Sequence, residues 1–260
     1  MTSIYGKLIL CRSRDTYSVM SDASISERLD ALRFFQTPEH ECNYLSEREA
    51  STVFVDPSAE LNSVIYSQLA LIGFRRSGRY LYRPRCKSCH ACIPIRLSAH
   101  DFKPNRSQRR IVNRNQDLTI TICDKEFQQE HYELYERYLR SRHTDGGMDD
   151  TTPEKYRGFL TCEWMNTRFV EFRLEDKLIG VAVTDFMHDG LSALYTFFDP
   201  DLTKRSLGTF AVLWQIDAAK RFNKKWVYLG YWIRESMKMS YKTGFKPYEL
   251  FIDGSWQQGE

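Results

Sequence analysis

Hydrophobic and polar positions along the chain fall into two periods. At helical spacing, Leu29, Leu32 and Phe35 predict a helix over 26–35 that ends at Thr37-Pro38, and Leu61, Ile65, Leu69 and Ile72 predict a second over 62–72 stopped by Gly73. Phe127, His131, Leu134 and Tyr138 mark a helix over 126–142, and Thr152-Pro153 supplies an N-cap and first-turn proline for another. Leu207, Phe210, Ala211, Trp214, Ala218 and Phe222 line one face of a helix over 206–223. Runs rich in β-branched and aromatic residues predict strands at 169–174, 178–186 and 191–198, joined through Glu175-Asp176-Lys177 and the His188-Asp189-Gly190 turn. Shorter strands are expected at 79–84, 93–97, 226–229 and 248–252, with a short helix at 236–242. The segment 103–114 has no apolar stripe and reads as an exposed basic connector, while residues up to about Met20 show no clear period.

The resulting order from 169 onward, β-β-β-α-β-α-β, is the core order of the GNAT acyltransferase fold: an antiparallel meander, one crossover helix, and a strand returning beside the third. The expected class is α+β, with a GNAT-like domain over 106–260 sharing an interface with a smaller, cysteine-containing N-terminal α/β domain over 1–105. In that fold the first turn of the crossover helix offers backbone N–H groups to an acyl carrier's phosphates through Arg/Gln-x-x-Gly-x-Gly/Ala. The corresponding residues here are Arg205-Ser-Leu-Gly208-Thr-Phe210. Phe210 stands where a small residue lets a pyrophosphate approach, which argues against an acetyl-CoA-dependent N-acetyltransferase and leaves a helix start for another acyl donor.

Composition narrows the class further. With 260 residues, 42% of them hydrophobic and 14% aromatic, the chain can bury a substantial core. No apolar run approaches the ~20 residues needed to span a bilayer, and the start lacks a signal-cleavage pattern, so a cytoplasmic protein with no membrane partner is expected. The net charge is only +3, yet between Glu60 and Asp117 twelve Lys or Arg face one acid, Asp101, so this stretch carries +11 and the remainder −8. Such asymmetry points to an anionic partner held at one surface, against the blander reading of a solvated face balanced by the acidic remainder. Phe74, Tyr80 and Tyr82 interleaved with arginines, and the cluster Arg106-Ser-Gln-Arg109-Arg110, favour nucleic acid.

The seven cysteines are odd in number and scattered, which suits a reducing compartment better than a disulfide framework. Cys86, Cys89 and Cys92 repeat a C-x-x-C interval, and Cys42 or His40 stands upstream to complete a tetrahedral zinc site. An iron–sulfur cluster is also open to this set, and so are plain reduced thiols in a hydrogen-bonded turn. Cys11, Cys123 and Cys162 lack partner spacing and read as small core residues. His143-Thr-Asp145 offers a histidine beside a carboxylate, though a lone loop histidine is more often a surface residue. No Gly-x-Ser-x-Gly, Cys/His pair or P-loop is present, so covalent catalysis is not supported.

Longer motifs extend across nearly all of the chain: Phe54-Val-Asp-Pro57, Gly73-Phe-Arg-Arg-Ser-Gly78, Tyr82-Arg-Pro84 with the three cysteines, Phe102 to Arg110, Ser141-Arg-His143 with Asp145-Gly146, Tyr195 to Leu202, and Tyr228-Leu-Gly-Tyr-Trp-Ile233 with Lys238-Met239 and Tyr241-Lys242. Through them the chain resembles the arginyl-tRNA–protein transferase family, in particular its bacterial, leucine-transferring branch. The resemblance implies transfer of an aminoacyl group from aminoacyl-tRNA, with Leu-tRNA favoured over Arg-tRNA, to the N-terminal amine of proteins beginning with Asp or Glu, which marks them for N-end rule degradation. It implies no cofactor for the transfer itself, because the donor ester is already activated. Under it, Arg75 and Arg76 would bind the acceptor's carboxylate, as guanidinium forks match that group. Arg109, Arg110, Arg114, Lys204 and Arg205 would contact tRNA. Tyr195, Tyr228, Tyr231, Asp199 and Lys238 would flank the reaction, with Lys242 beside Lys238 as an oxyanion or 3′-end contact. Eukaryotic relatives carry Cys-x-x-Cys where this chain has Cys42-Asn-Tyr-Leu45, so their metal ligation does not carry across to Cys42, Cys86, Cys89 and Cys92. The alternative from another class is a noncatalytic zinc-containing RNA-binding module.

Overall fold

Strand 177–186 is buried at every position but its first, on both faces, so it must lie at the centre of a sheet covered on two sides. The computed structural model describes residues 2–3, 6–10, 22–142 and 151–259; His143 and Asp145 lie outside the described residues, as does Cys11. In chain order the strands are β1 (Thr2–Ser3), β2 (Gly6–Leu10), β3 (Phe34–Gln36), β4 (His40–Glu41), β5 (Glu49–Ala50), β6 (Thr52–Val55), β7 (Arg75–Ser77), β8 (Tyr80–Pro84), β9 (Ile93–Ser98), β10 (Leu118–Cys123), β11 (Thr167–Leu174), β12 (Lys177–Phe186), β13 (Gly190–Phe198), β14 (Trp226–Trp232), β15 (Tyr248–Ile252) and β16 (Ser255–Gln258). The helices are α1 (Asp22–Asp30), α2 (Ser63–Leu71), α3 (Arg106–Arg114), α4 (Gln129–Arg142), α5 (Pro153–Leu160) and α6 (Leu207–Arg221), with 3-10 segments at Pro200–Arg205 and Met237–Gly244.

The molecule is mixed α/β, built on one large mixed sheet of order β1-β2-β10-β11-β12-β13-β14-β9-β15-β16. One face packs against α6 through Phe172, Ile179, Phe210 and Trp214. The other face is covered at one end by α4 and α5, through Tyr135, Tyr156, Phe169 and Val181. At its other end sit α2 and a second sheet of order β3-β6-β8-β7, whose Val53, Val55 and Leu81 meet Tyr66, Met187 and Trp226. No helix among the described residues is long and apolar enough to cross a membrane.

The meander β11-β12-β13 and the crossover through α6 to β14 form as the periodicity predicts. Two expectations are overturned. The basic segment at 103–114 contains a helix, because Asn105 and Gln108 close a reciprocal capping box and the buried Gln108 side chain donates to the Gly244 carbonyl. Besides Gln108, only Val112 of this helix is buried in the core, so the sequence pattern had little to display. The expected helix at 26–35 instead ends at Asp30, and Phe34–Gln36 pairs with β6, since an available strand edge outweighs weak helical spacing. Pairing also crosses residue 105: β9 lies inside the large sheet, between β14 and β15.

Strands β13 and β14 run parallel for only three residue pairs, the last being Ser192 with Tyr228. Beyond that point β13 bulges against β12 and β14 shifts register against β9, with Gly230 at φ +84° in the left-handed region that favours glycine. The two strands therefore part toward their C-terminal ends, the position where open sheets hold ligands.

Candidate active site where two parallel strands part

Arg75 occupies the parting. Strand β7 brings it there, and its Nη2 donates to the Ala193 carbonyl of β13 at 3.2 Å, while a Cβ on Gly230 of β14 would lie 3.6 Å from its Nε and Nη2. The side chain is buried, and its Nη1 has no hydrogen-bond partner among the described residues. Buried guanidinium donors are costly when unpaired, so this one is poised for an anion or a carbonyl oxygen. Tyr66, Tyr82 and Tyr231 stand close enough for the Arg75 charge to act on their phenols, although burial dominates and raises all three.

A second buried cation lies beside it. Lys242, from the second 3-10 segment, is buried and donates Nζ to the Tyr231 carbonyl. Burial, and then the positive charge of Arg75, pull its pKa down to about 7. Neither Arg75 nor Lys242 has an ion-pair partner among the described residues. The parting therefore holds a guanidinium and an amine, both buried and both without a counter-charge among the described residues.

Arg76 belongs elsewhere, which corrects its expected role as a carboxylate receiver. Its side chain is fully buried, with Nε and Nη2 each 2.7 Å from Asp185 and further bonds to the carbonyls of Gly78 and Leu160 and to Thr167. The sequence signal for Asp185 was the one charged residue in the otherwise uncharged run 178–186. Such an acid needs a buried cation.

Among the expected catalytic residues, only Tyr231 approaches the Arg75 side chain, and its hydroxyl already donates to the Gly73 carbonyl at 2.9 Å. Tyr228 turns its hydroxyl to Asp189 at 2.7 Å. Tyr195 packs among Tyr135, Tyr138 and Phe159 on the α4 side. Asp199 caps the Pro200–Arg205 turn through Asp201 and is held by Lys177 at 3.0 Å and Arg137 at 2.8 Å, so it is an element of the turn rather than an amine-orienting group. Lys238 is exposed.

The expected tRNA contacts divide. Arg109, Arg110 and Arg114 are exposed on α3, and Lys204 is exposed beside the C-terminal end of that helix, where Arg114 donates to its carbonyl. Arg205 is bidentate to Asp117, at 2.9 and 2.8 Å, and is spent on the corner of α3 and β10. Phe210 also departs from its expected part. Its ring is fully buried against Phe172, 5.3 Å away, so it does not obstruct the start of α6, and the argument it offered against coenzyme A falls.

The four cysteines gather on a cavity of about 620 Å³ that Tyr44, Tyr82 and Tyr231 also line. Burial, followed by the neighbouring Cys86, Cys42 and Cys89, pushes Cys92 up to about 12. Arg48 donates to Cys89 Sγ at 3.4 Å. Among the described residues, no group of three or more His, Cys, Asp or Glu side chains is placed to hold a metal ion.

Comparison with known proteins bears on the same residues. The family model for the N terminus of arginine-tRNA-protein transferase matches residues 40–110, and that for its C terminus matches 130–252. The aspartate/glutamate leucyltransferase of Alcanivorax borkumensis is 54% identical over 88% of this chain and 95% of its own length. Those of Saccharophagus degradans and Chromohalobacter salexigens are 52% and 50% identical, over 88% and 92% of this chain and 97% and 98% of theirs. Among solved structures, L-PGS from Bacillus licheniformis aligns with 82% of this chain and 72% of its own at 12% identity and a TM-score of 0.46. With both family models matched along most of its length and relatives identical at half of the aligned positions, the chain belongs to the arginine-tRNA-protein transferase family.

Proposed function

We propose that the protein transfers leucine from Leu-tRNA to the N-terminal amine of polypeptides beginning with Asp or Glu, in the cytoplasm, and so creates an N-end rule degradation signal. The observation that carries this reading is the Nη1 of Arg75, unpaired among the described residues, beside Lys242 in the parting of β13 and β14. The meander, the α6 crossover and the parting strands support a GNAT-type acyl-transfer core.

In this reading Arg75 Nη1 takes the side-chain carboxylate of the acceptor's first residue, a charge-assisted contact. That fixes the α-amine near Lys242. The neutral Lys242 amine takes a proton from the α-ammonium, and the freed amine attacks the ester carbonyl. The carbonyl oxygen becomes an oxyanion, the C–O bond to the tRNA 3′-terminal ribose breaks, and the ribose oxygen leaves with a proton as the amide forms. Because the ester is already activated, positioning supplies much of the rate and no cofactor is needed.

The test incubates the protein with labelled Leu-tRNA or Arg-tRNA and peptides starting with Asp, Glu, Lys or Ala. Leucine on Asp and Glu peptides alone supports the reading. Arginine transfer moves the donor to Arg-tRNA, and no transfer from either leaves an RNA-binding module. Arg75→Met should lower kcat/KM for Asp and Glu peptides by about 100-fold, as expected for loss of a buried charged contact.

A further inference from the structure

The outer face of the small sheet carries a row of aromatic side chains that the reaction has not used. Phe35 is the cross-strand partner of Phe54, Phe54 that of Tyr82, and Tyr82 that of Arg75. Cross-strand partners share a face, so the four side chains stand on one side of the sheet, opposite the core-facing Val53, Val55 and Leu81. With strands ~4.8 Å apart, the row runs about 14 Å from β3 to β7. The rings of Phe54 and Tyr82 lie 6.0 Å apart at 34°, and Tyr80 stands edge-on to Phe54 at 6.3 Å. Phe35 is 54% exposed and Tyr80 44%, while Phe54 and Tyr82 between them are half-buried.

Exposed aromatic patches of this kind mark binding surfaces. At the Tyr80–Tyr82 end of the row the charge is positive: Arg79 and Arg85 at either end of β8 are exposed, within the stretch that carries +11. Nucleobases stack on aromatic faces whatever their sequence, and phosphates seek the arginines. Acceptor polypeptides share an acidic first residue but no common run of aromatic side chains. The row also ends at the parting itself, because Tyr82 neighbours Arg75 on the next strand.

Building on Leu-tRNA as donor, we propose that this row is a stacking track for the unpaired 3′ end of the aminoacyl-tRNA. The terminal base lies nearest Tyr82, with preceding bases toward Phe54 and Phe35, and the aminoacyl ester is delivered at Arg75.

The test measures, at one salt concentration, the affinity of wild type, Phe35→Ala and Phe35→Trp for Leu-tRNA and for the same tRNA trimmed of its unpaired 3′ end. Phe35→Ala should bind intact tRNA about tenfold more weakly and trimmed tRNA as wild type does, with Phe35→Trp restoring the difference. Equal effects on both RNAs, or none on either, overturn the track, as does a loss that shows only in the KM for the acceptor peptide, which would make the row a polypeptide surface. Wild-type transfer from Leu-tRNA, measured on the same preparations, separates the two claims. If wild type transfers and Phe35→Ala fails to discriminate, the track alone is wrong; if wild type transfers from no tRNA, the donor reading fails and the track with it.

Discussion

Arg76 and Asp185 form a bidentate ion pair with both side chains fully buried, each of two guanidinium nitrogens donating to a separate carboxylate oxygen at 2.7 Å. The pair ties β7 of the small sheet to β12 at the centre of the large one, and so fixes where the adjacent Arg75 can reach. Asp185→Ala should strand a buried guanidinium and cost about 3–5 kcal/mol in urea unfolding. A loss under ~1 kcal/mol would show that the pair is not the tie between the sheets.

Lys242 sets a pH dependence. Its pKa is about 7 folded against an ordinary 10.5, lowered by burial and then by Arg75, so between those values the unfolded chain binds more protons. Stability from this group is therefore fully present above 10.5 and is lost as pH falls through about 7. Under the proposed role, kcat/KM rises with pH up to about 7 as the amine becomes neutral. Lys242→Met should lower the rate by about 10²–10⁴-fold and flatten that limb. A variant that keeps the wild-type pH profile would remove Lys242 from the proton transfer.

The exposed arginines of α3 should act through charge alone. Replacing Arg109 and Arg110 together by alanine should reduce the slope of log affinity for tRNA against log salt by about 2, with no preference among tRNA sequences. Melting should change little, since both side chains are exposed and Arg109 gives up one bond, to the Pro104 carbonyl at 2.6 Å. An unaltered salt slope would take α3 out of the tRNA surface.

Glu171 should govern acid stability. Burial alone would raise it, but hydrogen bonds from the buried His131 at 2.7 Å and from Arg173 outweigh burial and hold its carboxyl at about 2. A depressed carboxyl contributes stability that is complete above its ordinary 4.5 and disappears as pH falls toward 2. Glu171→Gln should therefore weaken the protein by about 3 kcal/mol near neutrality and by much less near pH 2, read from urea unfolding across that range. A constant difference at all pH values would contradict this assignment.

Strands β11 to β13, α6 and β14 were legible because their signals are local: alternating or continuous apolar runs, turn residues and a 3.6-residue stripe. Helix α3 was not, because a buried glutamine docks it rather than a row of leucines. Arg75 and Arg76 both became candidate carboxylate binders through the family resemblance, since a guanidinium fork fits that group. Adjacent residues on a strand point to opposite faces, however, so one reaches the parting and the other a buried aspartate 109 positions away.

By itself, the sequence determined the family through long motifs, the basic stretch through composition, and most elements through periodicity. Tertiary structure alone decided which charges remain unpaired. Whether an arginine is free depends on what lies within a few ångströms of its fork, and those neighbours come from strands far apart in the chain. The same holds for Phe35, Phe54 and Tyr82, which no spacing in the sequence connects and which strand pairing lines up beside Arg75.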